Sequence, residues 1–214
     1  MADRLLVLGS GGHAKVVVDA ALSAGWDVVG VLDRDPSLAG KTVLGRPIIA
    51  CDEHGAAALC GQYEAQIVVG VGENATRRRI FEMLRAAGAA VATIVHARAT
   101  VARSCTVGAG SVVFAGAVLN PDTHIGANAI LNTSSSVDHD SCIGDHVHIS
   151  PGVHLGGMVE VGEGTHIGIG AAIRNNIRIG SWCVVGAGSV VVKDLPDRVL
   201  AFGVPATPQR KNPT

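Results

Sequence analysis

The triplet Asp138-His139-Asp140 sets one imidazole between two carboxylates, an arrangement that can fix the ring's tautomer and stabilise the imidazolium formed when a proton is taken up. His139 stands two residues beyond Val137, an apolar position of a regular repeat, so it is expected near a corner and turned outward. The chemistry suited to it needs no metal. A neutral imidazole removes a proton from an amine or hydroxyl while that group attacks a thioester carbonyl, and nearby donors stabilise the developing oxyanion. Cys142 is a rival acyl carrier, but nothing in the pattern aims its sulfur at the imidazole, and direct attack is the simpler mechanism.

Nine histidines invite a metal reading. His148 and His166 are 18 residues apart and stack in the repeat described below, whereas His124 and His154 fall at other offsets. Two stacked imidazoles make an incomplete zinc site, which takes three protein ligands in catalysis and four in structural roles, so no metal is expected. The five cysteines show no CxxC and read as free thiols in a reducing compartment, which makes a cytoplasmic protein the expectation.

A second group of residues is built for anions. Gly9, Ser10, Gly11, Gly12 and His13 join a short apolar strand, residues 4 to 9, to a helix spaced over residues 13 to 24. The glycines permit a tight turn and let backbone amides approach a phosphate. Ala14 replaces the third glycine of a full GxGxxG, and a P-loop lysine is missing. A strand at 28 to 32 ends at Asp33, with Asp35 beyond it, and either carboxylate could accept from the ribose or base of a nucleotide. A third strand at 65 to 72 ends on Gly72, a helix follows from about 75 to 87, and the run AAVATI at 89 to 94 with the following Val95 is expected to close the unit. The expectation is a small Rossmann-like α/β domain over residues 1–94, with ligand loops at the carboxyl ends of its strands.

From Val101 the period changes. Branched apolar residues recur every six positions through Val107, Val113, Leu119 and onward to Val191, which neither a helix nor simple alternation explains. Gly108, Gly126, Gly144, Gly162 and Gly180 add an 18-residue beat, or one triangular coil per three hexads. Residues 95–214 therefore read as a stacked parallel β-helix with a short cap after Asp194, its interior shared by small residues two places before each ladder position. Composition agrees: 48% hydrophobic residues and 28 glycines with only 3% aromatics suit a narrow, repetitive interior. A formal charge of -1 offers no broad attraction for nucleic acid, and the apolar runs are too short to span a membrane.

These residues carry a family resemblance. The hexapeptide ladder is similar to that of the left-handed β-helix acyltransferases. GSGGHAKVV at 9 to 17, LDRD at 32 to 35, GVGENATRRR at 70 to 79, NTSSSVDHD at 132 to 140, HVHISPGVHLGG at 146 to 157 and GVPA at 203 to 206 narrow it further. Together they resemble the sialic-acid O-acetyltransferase and bacterial nucleotide-aminosugar N-acetyltransferase group. The resemblance implies a homotrimer with acetyl-CoA as co-substrate in the groove between neighbouring helices, and an amino domain that holds the nucleotide of the acceptor. It implies His139 as general base followed by an acid, here Asp140 in place of the more usual glutamate. It further implies His148 near the thioester, Asn132 near the base, and the Gly157 amide facing the thioester oxygen. The expected activity is N-acetylation of a nucleotide-linked amino sugar, a 4-amino-4,6-dideoxyhexose, in glycan biosynthesis. O-acetylation of sialic acid and a non-catalytic nucleotide-sugar-binding trimer are the alternatives.

Overall fold

A computed structural model describes residues 3–212. They divide into two compact units, one through Ala97 and one from Arg98 onward.

The first unit runs β1 (Arg4–Leu8), α1 (Gly12–Ser23), β2 (Asp27–Asp33), a 3-10 turn (Pro36–Leu38), β3 (Thr42–Val43), β4 (Arg46–Ala50), α2 (Ala56–Tyr63), β5 (Gln66–Val69) and α3 (Asn74–Ala86). Its sheet has the order β3-β4-β2-β1-β5, parallel except for the β3–β4 hairpin. Continuous apolar runs make β1 and β5 buried strands, and Leu5, Leu6, Val7, Ile67 and Val68 are fully buried. The direction of chain progression reverses at β1, so the crevice outside its carboxyl end is where an open sheet binds ligands. Ala14 stands where the third glycine is expected because the close approach is made from the other side. A Cβ on Gly70 would lie 3.0 Å from that of Ala14.

Three elements escape sequence reading. β4 is short and carries Pro47, β3 has only two residues, and the alanine-rich α2 lacks a clear apolar stripe. The segment expected to close the unit joins its sheet beside β5 through a single bridge. Val91 makes an isolated parallel bridge to Ile67, where the Ile67 amide donates to the Ala90 carbonyl (2.9 Å) and the Ala92 amide to the Ile67 carbonyl (2.8 Å), and Ile94–Val95 follows as a two-residue strand.

The second unit is a left-handed parallel β-helix. Two-residue strands recur without interruption from Thr100–Val101 to Val190–Val191. Each pairs with the strand 18 residues away, as in Val118↔Ser136↔His154, which gives three faces. The first face contains Thr100, Ser136 and His154, the second Thr106, His124 and Cys142, and the third Val112, Ile130, His148 and His166. From Val113 to Val191 every ladder residue is buried. The interior small residues do more than avoid crowding. Ser111 Oγ donates to the Gly126 carbonyl (2.8 Å) and accepts from the Ala129 amide (2.9 Å), and Thr165 does the same for Gly180 and Cys183. These hydroxyls satisfy backbone groups that the corners leave inside.

The corners explain two further regularities. Asp122, Asn128, Ser134, Asp140 and His146 follow one another at six-residue intervals, each with φ between 53° and 61°. A left-handed residue turns each of these corners, a conformation that Asn and Asp bear more easily than other non-glycine residues. The 18-residue glycine beat marks a column where successive coils touch: a Cβ on Gly108 would sit 2.5 Å from the Gly126 carbonyl carbon. After the last regular rung the chain closes with the antiparallel pair Val199–Gly203 and Ala206–Lys211, the first strand of which continues the third face beside Val184–Val185. Among the described residues no helix is long and apolar enough to cross a membrane.

Candidate active site

His139 lies on the corner between the first face, at Ser136–Val137, and the second, at Cys142–Ile143. Its side chain is half exposed, and Nδ1 is 2.7 Å from Asp140 Oδ2. Asp140 holds φ at 57°, so the corner itself favours a short acid there over glutamate, and the contact forms despite the shorter side chain. Asp138 builds the turn: its Oδ1 accepts from the His139 amide (3.0 Å) and from Asn120 Nδ2 (2.9 Å). The hydrogen bond to Asp140 pushes the His139 pKa up from its ordinary value. Slight desolvation opposes the rise, and the charges of Asp138 and Asp140 reinforce it. With Nδ1–H donated to Asp140, Nε2 carries the lone pair and is the basic nitrogen.

Gly157 supports the ring. A Cβ at this position would lie 2.7 Å from both Cε1 and Nε2 of His139, so only glycine lets the imidazole rest where it does. The corner also joins coil to coil through the His139 carbonyl, which accepts from the Met158 amide (2.9 Å). Cys142 is exposed on the second face, and its sulfur makes no hydrogen bond to the imidazole.

Asn132 and His148 stand elsewhere on the prism. Asn132 follows the third face at the corner leading to the first, and His148 sits on the third face. Asn132 Nδ2 donates to His148 Nε2 at 3.2 Å, so within one chain its imidazole partner is His148 rather than His139. The His148 and His166 rings stack with centroids 4.7 Å apart and planes 3° from parallel. Among the described residues no group of three or more His, Cys, Asp or Glu side chains is placed to hold a metal ion.

In the first unit a cavity of about 330 Å³ opens at the carboxyl ends of β1, β2, β4 and β5. Gly9 and Asp33 line it. Asp33 Oδ2 accepts from the Ser10 amide (3.1 Å) and from the Ser10 hydroxyl, and Oδ1 accepts from the Asp35 amide (3.0 Å). Partial burial raises the Asp33 pKa, but the Ser10 and Asp35 hydrogen bonds and the Arg34 charge outweigh it and bring it below the usual carboxylate range. Asp35 is turned to local work, its Oδ1 capping the 3-10 turn at the Ser37 amide (2.9 Å).

Gly11 and Gly12 open α1 with nothing within 4 Å of where a Cβ would stand. His13 is driven neutral, its pKa lowered to about 4 by burial and then by the Arg77 charge. Gly72 packs beside the His13 ring, and its carbonyl accepts from Arg77 Nη1 (2.9 Å), so neither Gly72 nor His13 lines the cavity.

Sequence reasoning missed much of the lining: Arg34, Cys51, Glu53, Thr76 and Arg79. Arg79 makes a bidentate pair with Glu53 at 2.6 and 3.0 Å. The signal was present in part. Thr76 and Arg79 are three apart on α3 and share a face, while Glu53 depends on β4, whose end at Ala50 had no clear period.

Residues 4–84 match the family model for the PglD N-terminal domain, and residues 158–193 match that for the bacterial transferase hexapeptide (six repeats). Among solved structures, the acetyltransferase domain of PglB from Neisseria gonorrhoeae FA1090, in complex with acetyl coenzyme A, is 38% identical with a TM-score of 0.89 over 98% of this chain and 100% of that one. A variant of perosamine N-acetyltransferase from Caulobacter crescentus, in complex with CoA and GDP-perosamine, is 37% identical with a TM-score of 0.91 over 99% of both chains. WeeI from Acinetobacter baumannii AYE, at 22% identity and a TM-score of 0.80, shares the fold. A search of curated proteins finds no match. With such identity sustained over nearly the whole of both chains, and with the amino-terminal unit and the hexapeptide coils each matched in turn, this chain belongs to the hexapeptide-repeat, left-handed β-helix nucleotide-sugar N-acetyltransferases.

Proposed function

We propose that the chain moves the acetyl group of acetyl-CoA onto the amino group of a nucleotide-linked 4-amino-4,6-dideoxyhexose, with His139 as general base. The observation that carries this reading is the His139–Asp140 couple resting on Gly157, in a chain 37% identical to an enzyme solved with CoA and GDP-perosamine. The neutral amine attacks the thioester carbonyl, its lone pair forming the C–N bond while the carbonyl electrons move to oxygen. His139 Nε2 takes the amine proton, and Asp140 stabilises the resulting imidazolium. The Gly157 amide donates to the oxyanion. When the carbonyl re-forms, the C–S bond breaks and the departing thiolate is protonated, which frees the imidazole.

In this reading the domain over residues 1–94 holds the nucleotide at the Gly9 to Gly12 turn and Asp33, with His13, Asp35 and Gly72 shaping the surrounding structure, and residues 95–214 carry the chemistry. His139 and the Asn132–His148 pair occupy different corners of one prism. A homotrimer would set unlike corners of neighbouring copies face to face around a closed three-fold axis, completing the groove for acetyl-CoA. The free cysteines fit a cytoplasmic enzyme, reduced where acetyl-CoA and nucleotide sugars are at hand.

The test is acetyl transfer from acetyl-CoA across UDP-, GDP- and dTDP-linked 4-amino sugars, with sialic acid as a hydroxyl acceptor and the mass of the assembly measured alongside. Turnover with one nucleotide sugar, lost in His139→Ala, supports the reading. Turnover with sialic acid alone would replace it with O-acetylation, and binding of nucleotide sugars without any turnover would leave a binding protein.

A further inference from the structure

The Asn132–His148 pair has a directionality that fixes a protonation state. Asn132 Oδ1 accepts from the Thr133 amide at 2.9 Å. A backbone N–H can only donate, so the oxygen of the amide must face it and the NH2 group must face the other way, where His148 Nε2 lies at 3.2 Å. An NH2 group donates, so Nε2 must present its lone pair and the ring proton resides on Nδ1. A proton on Nε2 would set two donors against each other.

The surroundings reinforce this. His148 is buried to 9% exposure, and the titratable group stacked on it is His166, 4.7 Å away and nearly parallel. A cation on both rings would place like charges face to face. One coil further along, the same register carries Ser150 against His166 Nε2 at 2.9 Å. A serine hydroxyl donates or accepts at will, so Ser150 imposes no tautomer. The fold therefore accepts a serine at this position, and the one-way amide at Asn132 is a feature of the His148 rung.

We propose that Asn132, oriented by the Thr133 amide, is a positioning residue that locks His148 as the neutral Nδ1–H tautomer with its Nε2 lone pair engaged, so that His148 cannot take the place of His139 as general base. The functional half rests on the acetyl-transfer reading above, whereas the tautomer itself does not. The lock separates two roles that two histidines could otherwise exchange. His139 is tied to an acceptor at Nδ1 and has its basic nitrogen at Nε2. His148 is tied to a donor at Nε2 and carries its ring proton on Nδ1.

The experiment is 15N NMR of the full-length protein labelled in histidine, with the His148 signals assigned by their loss in His148→Gln and followed from pH 5 to 8. The expected result is an unprotonated Nε2 and a protonated Nδ1 throughout, while His139 titrates. In Asn132→Asp the carboxylate accepts, so Nε2 should become protonated and His148 should begin to titrate. Asn132→Ser, which repeats the serine of the neighbouring rung, should give mixed tautomers and serves if the aspartate variant does not fold. An Nε2–H tautomer in the parent, ordinary imidazole titration of His148, or a tautomer unchanged in both variants would overturn the proposal. If the chain acetylates a sugar, the acidic limb of its pH–rate profile should belong to one group in the parent and to two in Asn132→Asp. Failure of acetyl transfer would leave the NMR result standing and count only against the functional reading.

Discussion

Replacing Gly157 by alanine should separate catalysis from stability. The added methyl would lie 2.7 Å from Cε1 and Nε2 of His139, against an ordinary carbon contact of about 3.6 Å. The imidazole must therefore move by about 0.9 Å. It can do so cheaply in folding terms, because the ring is half exposed and the Gly157 backbone is not in a left-handed conformation. Catalysis has no such freedom, since a misplacement of about 1 Å costs on the order of 10²-fold, or about 2.7 kcal/mol of barrier. The displaced ring also gives up part of its 2.7 Å contact with Asp140, so its pKa should fall towards that of a free imidazole. Steady-state kinetics with acetyl-CoA and the best amino-sugar acceptor should show kcat lowered by roughly two orders of magnitude. The thermal midpoint should move by little, and the acidic limb of the pH–rate profile should shift downward. Parental kcat in a folded Gly157→Ala protein would refute both the packing argument and the placement of the base.

Four further outcomes follow from the same geometry. His139→Asn should keep both ligands bound while turnover falls by about 10² to 10⁴, read by equilibrium binding and initial rates. Asp140→Asn should cost less and move the acidic limb of kcat/KM to lower pH, because its hydrogen bond is what raises the His139 pKa. For His13, whose pKa is lowered from 6.5 to about 4, stability is fully present above the unfolded value and is lost as pH falls towards 4. Acid unfolding should weaken the first unit by up to about 3 kcal/mol over that window, and much less in His13→Asn. Ile149→Ala, at a fully buried ladder position, should cost about 2–5 kcal/mol by denaturant titration without changing the mass of the assembly.

The β-helix was legible in the sequence because its period is its structure. The side chain every sixth residue must enter a narrow interior, and coils can touch along one column only if that column is glycine, so both beats are written in residue type. His139 was legible too, since its offset from Val137 places it on a corner and its carboxylate neighbour is adjacent in the chain. The first unit was readable where runs were long and apolar, at β1, β2, β5, α1 and α3, and not at β4 or α2, whose short segments depend on tertiary neighbours rather than on their own pattern. For that reason Glu53 and its pairing with Arg79, 26 residues away, came only with the fold. Residue type likewise marked Asp33 and Asp35 as equals, and only the folded turn set one towards the cavity and the other into a cap. The partner of Asn132 was also a tertiary matter. Nothing in a string of residues tells which of two imidazoles an amide will meet, because Asn132 and His148 lie 16 positions apart along the coil and the direction of their hydrogen bond is set by the amide of Thr133.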